Sequence, residues 1–183
     1  MSEDLTLFYA AVLLVGIFLY VLLDGFDLGI GILYPLAPTG DARTVMMNSV
    51  APVWDGNETW LVLGGVGMLA AFPLAYSVLL SAFYVPLSIM LIALILRGVA
   101  FEFRAKVALQ QKRAWNRAFF LGSAMTALSQ GYMLGLYVMG LERSLEAQAF
   151  AVLTGLCLAA GYVFIGACWL ILKTEGEIGR AHV

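Results

Sequence analysis

Charged residues are scarce in this chain, and those able to do chemistry fall in three short segments. The first, Asp24-Gly-Phe-Asp27-Leu-Gly-Ile-Gly31, closes a long apolar run and places two carboxylates three residues apart, on one face of a helix. An ionised Asp near the middle of a bilayer costs ~2.5–3.5 kcal/mol on insertion scales, so such groups face a bundle interior, pair, or bind a proton. Two neighbouring acids also repel, and a site of that kind takes up and releases protons. The plainer reading is a hydrogen-bonded helix end near the membrane boundary. Asp27 suits either reading, Asp24 the structural one.

The second segment, Ala51-Pro-Val-Trp54-Asp-Gly-Asn-Glu-Thr-Trp60, repeats the three-residue spacing with Asp55 and Glu58. Negative groups suit a helix N-terminus, so Asp55 can be an N-cap with Glu58 completing a capping box. Trp54 and Trp60 fit an interfacial belt. Capping leaves unexplained why Asp55, Asn57, Glu58 and Thr59 crowd one membrane boundary, facing the acids of the first segment. The third segment, Leu96-Arg97-Gly-Val-Ala-Phe-Glu102-Phe-Arg104, offers Arg97 either as a counter-ion for a buried carboxylate or as a side chain snorkelling to the interface. Four acids and two arginines then meet at the ends of three spans, and such a cluster reads as a proton or ion entrance. The predicted proton pathway is Asp24, Asp27, Asp55 and Glu58, with Arg97, Glu102, Trp54 and Asn57 as counter-ion or positioning residues. No catalytic residue and no metal ligand is predicted.

The elements that must hold these residues are membrane helices. The chain of 183 residues is 62% apolar and 12% charged, against about 45–50% and about 25% in a soluble domain. It reads as all-α: a polytopic transmembrane bundle of about five spans, a first four-helix bundle plus the start of a second, occupying residues 1–173. The spans fall near Leu5 to Leu36, Asn57 to Ala75, Tyr76 to Glu102, Ala118 to Gly140 and Ala147 to Leu172. The second, with Gly64, Gly65, Gly67 and Pro73, is either a full span or a re-entrant arm. Pro86 should bend the third. Gly25 and Gly29, Gly131 and Gly135, and Gly161 and Gly166 supply small residues for close helix contacts. Between Glu102 and Arg117 stand Arg104, Lys106, Lys112, Arg113 and Arg117 against one acid, so this loop is expected on the cytoplasmic side and the N-terminus outside. A re-entrant second span would move the N-terminus to the cytoplasm.

The sequence also argues by what it lacks. Its one histidine, His182, lies in the tail, so the spans offer no histidine to a haem iron. Glycine-rich nucleotide loops and CxxC pairs are missing. Cys157 and Cys168 sit too far apart along one helix for a disulfide and read as packing residues. A net charge of −2 without basic blocks gives nucleic acid no purchase. The first apolar run follows Glu3 and Asp4 and is too long for a signal-peptide core, so it should remain in the mature protein. The last seven residues, Glu177 to Val183, read like an in-frame translation of a sequencing-adapter oligonucleotide. On that reading the natural chain continues past about Gly176, and the present chain alone is inactive.

In this order, DGFDLGIG, APVWDGNETW and LRGVAFEFR strongly resemble subunit II of cytochrome bd-type quinol oxidases, from about Leu5 through Lys173. The resemblance implies a haem-free subunit, related by a pseudo-two-fold axis to a haem-bearing subunit I with which it forms a heterodimer in the bacterial inner membrane, together with small single-span subunits and lipid. It implies b- and d-type haems and the quinol site in the partner, oxidation of quinol, and reduction of dioxygen to water in aerobic respiration. It further assigns acids matching Asp27 and Asp55, with Asp24 close by, to a proton path from the cytoplasm. A secondary transporter or ion channel with buried acids, and a purely structural subunit, are the competing readings.

Overall fold

The computed structural model describes residues 3–174; the tail reading for residues 177–183 lies outside them. Within the described residues the chain is helical from end to end, with no strand. Helix α1 (Glu3–Leu33) runs into a 3-10 turn at Tyr34–Leu36, opened by Pro35, and is followed by the short α2 (Gly40–Val50). Then come α3 (Trp54–Ala71), α4 (Pro73–Ala82), α5 (Tyr84–Lys106), α6 (Leu109–Val138) and α7 (Leu145–Lys173).

Local chemistry sets most of these boundaries. The Thr39 hydroxyl accepts from Ala42 N–H at 3.1 Å and starts α2; Ser144 does the same for α7 through Ala147 N–H at 3.2 Å. Pro73 opens α4 at a helix start, where its missing N–H costs nothing. The expected bend of the third span is present: the helix breaks at Phe83, because Pro86 cannot donate to the carbonyl one turn back at Ala82. α6 ends in a left-handed pair, Gly140 at φ 69° and Leu141 at φ 63°, whose N–H groups return to Tyr137 and Leu136 carbonyls.

Among the described residues three helices are long and apolar enough to cross a membrane: Glu3–Leu36, Tyr84–Lys106 and Leu145–Lys173, with mean hydropathies of 2.5, 2.0 and 2.1. α3 and α6 are more polar for a physical reason. α3 opens with the second chemical segment, and α6 turns Ser123, Thr126 and Ser129 into the bundle, where all three are buried. Outward faces are a continuous apolar coat, as at Leu7, Phe8, Leu14 and Phe18 on α1 and Leu153, Leu156 and Phe164 on α7. Water would not tolerate such a surface; lipid does.

α1 packs against α3, α6 and α7, while α6 lies between α5 and α7. Small residues allow the closest approaches. A Cβ on Gly29 would run into the Tyr162 carbonyl, and one on Gly166 would meet the Gly29 backbone at 2.8 Å. Gly131 and Gly135 press on Gly155 and Ala151 in the same way. Gly161 departs from expectation, since a Cβ added there would meet no other helix within 4 Å. Cys157 and Cys168 depart too: both are exposed on α7 instead of packed inside.

The end of α1, all of α2, the start of α3, the end of α5 and the start of α6 meet at one end of the bundle. α2, too polar for a span and not foreseen as a helix, lies there with Met46, Met47 and Val50 buried against Ile30, Leu33, Tyr34, Ala100 and Phe119.

Candidate functional site

Because Asp24 and Asp27 are three residues apart on α1, both turn inward, and both are buried, at 1% and 0% exposure. α5 brings Arg97 between them, itself 1% exposed, and α3 brings Glu58 from the other side. The guanidinium is 3.3 Å from Asp24 Oδ1 and 3.9 Å from Asp27 Oδ2, and its Nη1 also donates to Glu58. Asn57 donates from Nδ2 to Asp27 Oδ2 at 2.8 Å and to the Leu23 carbonyl at 3.2 Å, tying α3 to α1 at the level of the acids. One cation therefore faces three carboxylates drawn from two helices. Arg97 serves as the counter-ion, not as a snorkelling side chain.

Surplus carboxylate is the composition of a proton-binding site. Two of its oxygens, Asp24 Oδ2 and Asp27 Oδ1, are buried with no hydrogen-bond partner among the described residues, leaving lone pairs where a proton can sit. Glu58, with a side chain 23% exposed, is the member that reaches the surface. The direct line from the bundle end to the acids is closed by the apolar packing of α2 with Leu33, Tyr34 and Phe119.

Not every expected residue joins this group. Asp55 lies on the exposed face of α3. It is not an N-cap either: Val53 occupies that position without a side-chain bond, and Glu58 is engaged by Arg97 instead of closing a capping box. The reason is helical phase, since Asp55 and Glu58 share a side of α3 but the Asn57–Glu58 edge faces α1 and α5. Trp54 stacks on Phe101 with ring centroids 5.0 Å apart and lies over Gly98, pinning the start of α3 to α5. Glu102 is far out on α5, pairing with Lys106 one turn on at 2.9 Å and both groups exposed. Arg104 also stays out of the cluster. Its Nε donates to Asn116 Oδ1 at 2.7 Å, which also accepts from the Tyr34 hydroxyl at 3.2 Å, and the guanidinium lies 5.6 Å from the Tyr34 ring centre. It forms a separate tie between α5, α6 and the 3-10 turn.

Residues that charge alone does not single out adjoin the acids from the other side. Tyr20 stands one turn before Asp24, and Gln130 of α6 and Tyr162 of α7 are hydrogen-bonded to it in series. An uncharged amide at membrane depth was the available signal.

A family model for cytochrome bd terminal oxidase subunit II matches residues 5–183. The chain is 33% identical over 184 residues to the cytochrome bd-I ubiquinol oxidase subunit 2 of Escherichia coli K12, covering 91% of this chain and 48% of that protein. It is 34% identical over 193 residues to the cytochrome bd ubiquinol oxidase subunit 2 of Bacillus subtilis, covering 96% and 55%. Against the probable cytochrome oxidase subunit 2 of Haemophilus influenzae the figures are 35% over 179 residues, 89% and 47%. The chain thus spans about half the length of the curated relatives it matches. With the three motifs in order, the helical membrane architecture and the family match over almost its whole length, the chain belongs to the cytochrome bd terminal oxidase subunit II family.

Proposed function

We propose that this chain is part of a haem-free subunit of a quinol:oxygen oxidoreductase in a bacterial inner membrane. It scaffolds a haem-bearing subunit I and carries protons from the cytoplasm toward the oxygen-reducing site. The observation that carries this reading is the buried group of Asp24, Asp27 and Glu58 around Arg97, with Glu58 alone reaching the surface. Asp55, exposed in the first turn of the same helix, is the outer acid that collects protons for Glu58. Glu58 passes them alongside their shared partner Arg97 to Asp24 and to Asp27, the latter held in place by Asn57. Substrate protons taken from one side and quinol protons released on the other build a gradient without a pump.

The b- and d-type haems belong to the partner. The donor set supports this: the chain's only histidine is His182, and both cysteines lie on the outward surface of α7. Orientation is supported by charge. Arg43, Arg104, Lys106, Lys112, Arg113, Arg117 and Lys173 all fall toward the bundle end closed by α2, which the positive-inside bias makes cytoplasmic, with the N-terminus outside.

The test is Glu58→Gln and Asp55→Asn in the full-length subunit, each keeping shape while removing a titratable group. Haem content should persist while quinol oxidase turnover falls at least about tenfold, or ~1.4 kcal/mol in the limiting barrier. Undiminished turnover in both would reject the proton path and leave a purely structural subunit. Ion flux in liposomes without any haem-bearing partner would instead favour a transporter.

A further inference from the structure

A hydrogen-bonded chain of two buried tyrosines and a half-buried glutamine leaves the acid cluster on its α6–α7 side. Tyr162 Oη on α7 donates to Gln130 Oε1 on α6 at 2.7 Å; Gln130 Nε2 donates to Tyr20 Oη on α1; and the Tyr20 hydroxyl lies beside the Asp24 carboxylate. Tyr20 and Tyr162 are 6% and 2% exposed. A glutamine in an apolar bundle is costly unless its amide is satisfied, and here two phenols satisfy it.

Donor arithmetic gives the arrangement a direction. A phenol has one hydrogen. Gln130 already donates to the Tyr20 oxygen, so the Tyr20 hydrogen is free for Asp24, whose Oδ2 has no hydrogen-bond partner among the described residues.

We propose that Gln130 is a positioning residue that lets Asp24 gain and lose a proton, because a half-turn of its amide reverses the whole Tyr162–Gln130–Tyr20–Asp24 hydrogen-bond chain. This rests on the proton-path reading of the acid cluster. With Asp24 ionised, every donor points toward it. When Asp24 accepts a proton from Asp27 or Glu58, its new O–H donates to the Tyr20 oxygen, and the Tyr20 hydrogen needs another acceptor. Turned over, Gln130 presents Oε1 to Tyr20 and Nε2 to the Tyr162 oxygen. The chain keeps its Tyr–Gln and Gln–Tyr bonds in both states, and no proton passes through the amide. Glutamine fits this role because its amide offers a donor and an acceptor at equal reach. The other groups facing Asp24 are Arg97 from α5, Glu58 from α3, Asp27 on α1 itself and Tyr162 from α7; α6 contributes Gln130, which does not titrate.

The experiment measures quinol oxidase turnover against pH for the full-length subunit assembled in its complex, with haem content as the check on assembly. Tyr20→Phe and Gln130→Leu should each lower turnover about fivefold, the factor that one net hydrogen bond of ~1 kcal/mol supplies, and displace the pH profile. The double variant should be no slower than the slower single, since both break one chain. Gln130→Glu, which when protonated offers both a donor and an acceptor, should recover turnover on the acid side. Wild-type turnover and pH profile in Tyr20→Phe and Gln130→Leu, beside a slow Asp24→Asn, would overturn the proposal and leave the proton path standing. Additive losses in the double variant would overturn it as well. Wild-type behaviour in Asp24→Asn together with Glu58→Gln would remove the proton path itself. If Gln130→Leu fails to assemble, Tyr20→Phe, which deletes a single oxygen, decides alone.

Discussion

Replacing Arg97 with methionine keeps an unbranched chain of similar length and removes the one cation that faces Asp24, Asp27 and Glu58. At 3.3 Å and an effective dielectric near 20, the Arg97–Asp24 attraction by itself is about 5 kcal/mol, with Asp27 at 3.9 Å adding a similar amount. Much of that offsets the cost of taking the ions out of water. What an experiment reads is the penalty of leaving buried carboxylates without their partner, about 3–5 kcal/mol. Arg97→Met should therefore lower the melting temperature of the assembled complex by several degrees at pH 8, followed by loss of the haem spectrum on heating. The defect should shrink as the pH is lowered, because a protonated acid no longer needs a cation. Adding Asp24→Asn should restore part of the loss, since one fewer carboxylate is then stranded. An Arg97→Met complex that melts like the wild type at pH 8, or whose defect is independent of pH, would refute the assignment of Arg97 as the shared counter-ion.

Gly29→Ala should disrupt assembly, because the added methyl collides with the Tyr162 carbonyl and overpacking of a rigid contact costs ~1–3 kcal/mol or more. Gly161→Ala on the same pair of helices, with open space around it, should melt like the wild type. Single cysteines at Asp4 and Gln110 in intact cells should react with an impermeant reagent only at the first; labelling of both would invert or break the proposed orientation. Asn57→Leu should slow turnover while preserving haem content, because Asp27 loses its 2.8 Å hydrogen bond; unchanged turnover would remove Asn57 from the site.

The class of the protein and three of its helices were legible in composition and run length, because crossing ~30 Å of hydrocarbon demands long apolar stretches whatever their neighbours are. Pairing Arg97 with the α1 acids was legible too, since an arginine and carboxylates stranded at similar depth have few other partners. So was Asp24 beside Asp27 on one face, which the helical period fixes. Helical phase relative to neighbours was not. Which of Asp55 and Glu58 turns inward depends on the rotation of α3 against α1, and spacing alone treats them alike. α2 escaped notice because it is too short and polar to register as a span, yet its buried methionines close the bundle end. Nor could hydropathy find the tyrosines around Gln130, which lie in apolar runs more than thirty residues from their partner. Sequence determines what a helix can bury; only the packing of α1 against α3, α6 and α7 decides which side chains share one interior, and there a single hydrogen bond or ion pair counts for far more than it would in water.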